Sequence, residues 1–433
     1  MTIETVQSVI LQNQKKISPN FDVTIRDLQM TEIPRKASVV IGIRRCGKST
    51  FVRSALAEIA AKKKLPQDRI CWLDFSDDRL AFLMETEPGI IADAYYTLFP
   101  ENHNKKVYFF FDEIQLVKNW ALFVNRLQNT ETCSVFISGS SARLLSREIA
   151  TELGARTFSW ELYPFSFREY LRAGALVTKN DILANPDKVA ARFKQYLKNG
   201  GFPELLYIKK EAEKIAYLQH LTLDVIVRDV ALRYQIQDLV TLRILVLLLF
   251  SQMAKLTTVN KLKQRLAGRH FKISNEWISK YLDYLEDAFL LFPVEILSAN
   301  SAVRAVNPKK IYCIDHALAA ASDMHVFENT GALIENMVFV QFKRKGIPVH
   351  YYKTKTNYEI DFITGEKKDI AIYQVCVTLQ DEETRKREIR AIEHACEELH
   401  CSVAVIITLE ERETLRRKNC TIRVVRLRDW LLQ

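Results

Sequence analysis

Short runs that are apolar throughout, separated by stretches of helical spacing, organise the first part of the chain. Ala37–Ile41 reads as a strand, and Lys48–Ala61 carries its apolar residues at helical spacing. Arg69–Phe75, Val107–Phe111, Cys133–Ile137 and Arg156–Leu162 are further strands, with helical stretches between them. Strands without polar alternation are buried on both faces, so the pattern predicts a parallel sheet covered by helices, an α/β nucleotide domain ending near Arg172.

The middle, roughly Ala190–Ser322, reads as mostly helical. Trp277, Ile278, Tyr281, Leu282, Leu285 and Phe289 share one helical face, with Ser274 as the N-cap. Two strands, Leu291–Leu297 and Lys310–Ile314, follow around a turn at Asn307-Pro308. A basic helix, an amphipathic helix and a two-stranded ribbon describe a winged helix. The tail then reads as helix Thr330–Lys343, strands Val349–Tyr352, Tyr358–Thr364 and Ala371–Leu379, helix Glu382–Leu399, and strands Ser402–Thr408 and Thr421–Leu427. The expected division is therefore 1–172, 173–325 and 326–433.

The chain has 433 residues, 48% of them hydrophobic and 26% charged, a globular composition too long for one core. Residues 1–30 mix charges with Gln and Asn, so no signal peptide is expected there. The most apolar run, Leu239–Phe250, is shorter than a membrane span and includes Arg243, so it predicts a buried helix. Eight scattered cysteines form no CxxC pair and suit reduced thiols; the expected setting is cytoplasmic, with no membrane partner. The formal charge is +10, and seven Lys or Arg between Lys255 and Lys280 face one acid, Glu276.

The chemistry concentrates near the N-terminus. Gly42-Ile43-Arg44-Arg45-Cys46-Gly47-Lys48-Ser49 satisfies GxxxxGK[ST] between a strand and a helix, the context this motif requires. Successive backbone N–H groups, through Thr50, supply the donors that phosphate oxygens need, and the helix start adds its positive dipole end. Lys48 is expected to reach the β- and γ-phosphates, and the Ser49 hydroxyl to ligate magnesium. Tyr108-Phe-Phe-Phe-Asp112-Glu113 is an apolar strand ending in two carboxylates, Asp112 for the magnesium and Glu113 for the attacking water. Ser138, with Ser140 behind it, ends the next strand and is the candidate γ-phosphate sensor. Arg44, Arg45 and Arg156 are available to stabilise transferred charge. No NKxD base-reading motif is visible, which favours ATP over GTP.

These motifs resemble the archaeal-type AAA ATPases of prokaryotes. The resemblance rests on Gly42–Ser49, on Phe111-Asp112-Glu113-Ile-Gln115 and on Ser138-Gly-Ser-Ser-Ala-Arg-Leu-Leu-Ser146. It extends through Leu162-Tyr-Pro-Phe-Ser-Phe-Arg-Glu-Tyr170, Gly200-Gly-Phe-Pro-Glu204, Lys310-Ile-Tyr-Cys-Ile-Asp315, Glu335 and Glu359-Ile-Asp361-Phe. It implies an ATPase core, a winged-helix middle and a tail with the PD-(D/E)xK nuclease-like fold, and no known substrate. In such a tail Glu335, Glu359 and Asp361 take places of metal ligands, but Gln374 and Cys376 stand where Glu and Lys are needed, so nuclease chemistry is not expected.

The expectation is thus a magnesium-dependent ATPase whose nucleotide state is coupled to the middle and tail. The alternative is a nucleotide-gated adaptor with little turnover. DNA is a candidate partner through Lys261, Lys263, Arg265, Arg269, Lys272 and Lys280; a protein partner or self-association is the other.

Overall fold

The computed structural model describes residues 2–14, 23–139, 156–323, 326, 328–366 and 369–433. Ser140 and the 141–146 stretch fall outside them. The chain divides into two compact units, Met1–Tyr163 and Pro164–Gln433.

The first unit is built on β1 (Ala37–Ile41), β2 (Ile70–Asp74), β3 (Val107–Asp112), β4 (Cys133–Gly139) and β5 (Thr157–Glu161), in the order β2-β3-β4-β1-β5. Each neighbouring pair is parallel. This is the sheet that the unbroken apolar runs predict: β1 is buried at every position, and so is β3. Phe110 of β3 stacks on Phe136 of β4 at 4.5 Å between ring centres. Helices α1 (Thr2–Gln14), α2 (Lys48–Lys63), α3 (Ile90–Leu98) and α4 (Trp120–Thr130) accompany the sheet. The first was not anticipated. It closes the edge strand β2, where Asn13 donates to the Trp72 carbonyl at 3.2 Å and Gln14 to that of Ile70 at 2.9 Å.

In the second unit, α5 (Pro186–Asn199) and α6 (Glu211–Asp224) lead to α7 (Leu239–Ser251), which is the expected buried helix. Among the described residues, no helix is long and apolar enough to cross a membrane. Then come β6 (Leu256–Thr257), α8 (Val259–Ala267), α9 (Asn275–Asp287), β7 (Leu291–Val294) and β8 (Lys309–Cys313), with antiparallel sheet order β6-β8-β7. Ser274 caps α9, accepting from the Trp277 N–H at 3.3 Å. Two residues of the expected apolar face depart from it. Trp277 is 47% exposed with the Lys280 ammonium over its ring, and Phe289 lies beyond the helix end in left-handed backbone.

The rest is α10 (His316–Ser322), α11 (Thr330–Arg344), β9 (Val349–Lys353), β10 (Glu359–Thr364), β11 (Ala371–Val375), α12 (Glu382–Leu399), β12 (Val403–Thr408), β13 (Glu413–Arg416) and β14 (Thr421–Arg426). The sheet order is β13-β14-β12-β11-β10-β9. β9, β10 and β11 form an antiparallel meander, and β12 runs parallel to both β11 and β14. Every residue of α11 from Ala332 to Phe342 is buried, so this helix is the spine of the tail.

Candidate functional site

The loop after β1 is shaped by close packing against the end of β5. The Leu162 N–H donates to the Ile41 carbonyl at 2.8 Å, and the Cys46 thiol donates to the Leu162 carbonyl at 3.3 Å. A Cβ at Gly42 would lie 2.1 Å from that Leu162 oxygen, so only glycine fits there. Arg45 and Gly47 take left-handed backbone, with φ of 62° and 95°, which turns the chain into α2 at Lys48. Arg26, twenty residues upstream, donates to the Cys46 carbonyl at 3.0 Å and also to that of Tyr163. The Lys48 ammonium is buried and donates to the Gly42 and Ile43 carbonyls at 3.0 Å each, so it spans the loop.

The parallel register brings the second half of the site alongside. Val40 of β1 is paired with Ser138 of β4, which lies beside β3 and Asp112. The buried Ser138 hydroxyl donates to Asp112 Oδ1. Burial pushes the Asp112 carboxyl up, while hydrogen bonds from Ser138 and Ser49 and the Lys48 charge oppose that rise. Glu113 has left-handed backbone with φ of 51° and accepts from the Gln115 amide. Burial raises its carboxyl as well, against the pull of Lys48, Gln115 and Arg44.

Lys48, Ser49, Asp112, Glu113 and Ser138 are therefore gathered at the carboxyl ends of β1, β3 and β4, and Arg44 is near enough for its charge to act on Glu113. Ser49 and Thr50 are exposed on the first turn of α2. Arg45 is exposed, whereas Arg156 is engaged elsewhere, donating to Asn125 and, at 3.0 Å, to Asn129 on α4. A loop of backbone donors opening a helix fits a polyphosphate. The hydroxyl of Ser49 beside the carboxylate of Asp112 is the all-oxygen set that suits Mg2+. Gln115 was named only as part of the Phe111–Gln115 motif, without a role, and Arg26 and Asp74, which is paired with Asp112 across β2 and β3, were not anticipated. Nothing in the local spacing marks Arg26 or Asp74, because each reaches the site from a segment distant in sequence.

Residues 34–171 match the family described as "AAA domain"; residues 190–326 and 330–430 match two domains of unknown function, DUF8612 and DUF4143. The chain is 32% identical over 398 residues to "Uncharacterized protein MJ1544" of Methanocaldococcus jannaschii, covering 91% of this chain and 86% of that one. The chain belongs to that protein's family. An uncharacterised protein of Haemophilus influenzae is 28% identical over 346 residues, with coverage of 79% and 83%. Among solved structures, the Walker-type ATPase PABY2304 of Pyrococcus abyssi is similar with a TM-score of 0.44 at 15% identity, covering 73% of this chain and 94% of that one. The Aeropyrum pernix ORC1 protein in complex with DNA is similar with a TM-score of 0.30 at 14% identity, with coverage of 77% and 91%.

The N-terminal part of this family member is a P-loop, AAA-type nucleotide-binding domain. Elsewhere in the chain, Lys261, Lys263, Arg265, Arg269 and Lys272 are exposed on and after α8, while Lys280 is half-buried and paired with Glu276 at 2.8 Å. In the tail, Glu335, Glu359 and Asp361 do come together, around Lys310. Burial and the Asp361 charge push the Glu335 carboxyl up, against the pull of Lys310. Gln374 donates to Glu388 at 2.7 Å, and Cys376 is buried with its thiol pushed up by burial to about 12.

Proposed function

We propose that this protein binds ATP with Mg2+ through residues 42–50 and hydrolyses it, passing the change of nucleotide state to the middle and tail. The observation that carries this reading is the convergence of Lys48, Ser49, Asp112 and Ser138 at one end of a parallel sheet. The backbone of Gly42, Ile43, Arg44, Arg45, Cys46 and Gly47 wraps the phosphates, and Lys48 exchanges its two carbonyl partners for phosphate oxygens. Ser49 and Asp112 hold the magnesium, whose role is to neutralise charge on the phosphates. Ser138 keeps Asp112 oriented. Glu113 takes a proton from the attacking water; a carboxyl raised by burial is a stronger base for that step.

Steady-state phosphate release tests the reading. Lys48→Ala should abolish nucleotide binding in calorimetry. Glu113→Gln should retain binding and lose turnover by about 10²-fold or more. If both variants release phosphate like the parent, hydrolysis at this site is wrong.

Three parts, 1–172, 173–325 and 326–433, make up the proposed machine. The element order from α7 to β8, with sheet order β6-β8-β7, supports a winged helix in the second. The order α-β-β-β-α-β from α11 to β12 supports a PD-(D/E)xK nuclease-like fold in the third, used for contact and not for cutting. A second reading, a nucleotide-gated adaptor that grips nucleic acid with little turnover, is favoured by the exposed basic residues of α8. Duplex DNA binding that depends on ATP, with phosphate release near zero, would select the adaptor.

A further inference from the structure

Lys310 belongs to β8 of the three-stranded sheet, yet its side chain is 1% exposed and enclosed by the following module. Its ammonium lies 3.0 Å from Glu335 Oε1 on α11, and 2.7 Å from both Glu359 Oε1 and Asp361 Oδ1 on β10. Tyr312, on the same face of β8, donates its hydroxyl to that Glu335 oxygen at 2.6 Å. The other Asp361 oxygen accepts from the Val375 N–H at 2.8 Å, and the Asp361 N–H donates to the Gln374 side chain at 3.1 Å. The cage is thus anchored on β8, α11, β10 and β11.

A lysine so deeply buried keeps its charge only if carboxylates replace its hydration. Three carboxylates converging from a helix and a strand on one point are also what gathers a divalent metal ion, which prefers oxygen ligands. Here that point is held by a nitrogen carried on the chain itself. We propose that Lys310 is a built-in cation: its ammonium takes the position of a divalent ion between Glu335, Glu359 and Asp361, keeps the cage closed to metals, and fastens the β7–β8 hairpin to the C-terminal sheet. An ammonium has no vacant coordination position and cannot acidify a water, so the cluster acts as a latch. The spacing agrees, since no set of His, Cys, Asp and Glu among the described residues is arranged to hold a metal ion. The carboxylates are spread around an ammonium and must close by about half an ångström to grip a metal.

The test is Mn2+ binding to the full-length, nucleotide-free protein, followed by electron paramagnetic resonance and by thermal unfolding. Only binding that Asp361→Asn removes is counted, because metal at the nucleotide loop is indifferent to that change. The parent should show no such site and no rise in Tm with Mn2+. Lys310→Ala should lose about 10 °C in Tm in chelator, recover part of it in Mn2+, and gain one site with Kd on the order of 10⁻⁵–10⁻⁴ M. An Asp361-dependent Mn2+ site in the parent overturns the proposal, as does a folded Lys310→Ala protein that gains none. If Lys310→Ala is unfolded in chelator, refolding on adding Mn2+ supports the proposal and failure to refold overturns it.

Discussion

At the scale of single residues, two positions in the first unit fix sharp expectations. Gly42 ends β1 against the Leu162 carbonyl, and the clash there is with backbone, which cannot rotate away. Gly42→Ala should destabilise the unit by about 1–3 kcal/mol in urea unfolding and weaken ATP binding in calorimetry, even though no side chain is lost. Glu32 sets a pH dependence. Burial alone would raise its carboxyl, but hydrogen bonds from Lys106, Lys63 and Ser134 outweigh burial and hold it down at about 2. A carboxyl lowered on folding stabilises the native state above its unfolded pKa and loses that contribution as pH falls through the folded one. The advantage of the parent over Glu32→Gln should be constant from pH 7 to about pH 5 and shrink between about 4.5 and 2. Urea midpoints at a series of pH values check this, and an advantage that grows with acid would refute it.

At the scale of elements, Asp315 joins two segments far apart in sequence. Its Oδ1 caps α10 by accepting from the Ala317 N–H at 2.9 Å, and its Oδ2 accepts from the Gly201 N–H at 2.7 Å. A Cβ at Gly200 would lie 2.0 Å from Asp315 Oδ1, so the Gly200-Gly201 pair is the seat for this one carboxylate. Asp315→Ala removes a cap and strands a buried N–H, which should cost about 2–4 kcal/mol in chemical denaturation; Asp315→Asn should cost less because it keeps one acceptor. Both halves of this contact stood out as motifs in the sequence, but nothing in either motif showed that they meet. The same limit recurs across the fold. β1, β3 and β4 were readable because strands buried on both faces are apolar throughout. β13, Glu-Thr-Leu-Arg at a sheet edge, and the two-residue β6 carry too little apolar signal. The nucleotide site was readable one segment at a time, at Gly42–Ser49, Asp112-Glu113 and Ser138. Their juxtaposition depends on the order β3-β4-β1, which local periodicity does not encode. Lys310 shows this most clearly: its strand and the set Glu335, Glu359 and Asp361 were each read from the sequence, but their meeting around its ammonium was not.

At the scale of the whole molecule, charge is the property that bears on partners. The net charge is +10, and the stretch Lys255–Lys280 holds seven basic residues against one acid. Five of the six residues proposed for DNA are exposed, while Lys280 is paired with Glu276 and leans on Trp277. A surface that neutralises phosphates releases counterions, and the slope of log K against log salt measures how many. If α8 and the residues after it track a duplex, the slope should be about −4 to −5 for five contacts. Lys261→Ala, Lys263→Ala and Arg265→Ala should each reduce it by about 1, with little dependence on base sequence, whereas Lys280→Ala should change it least because that charge is already compensated. Fluorescence anisotropy with a short labelled duplex, titrated from 50 to about 200 mM salt, reads the slope directly. A slope near zero, or one that the three α8 variants leave unchanged, removes this face as a nucleic-acid surface and leaves the excess charge as solvated periphery.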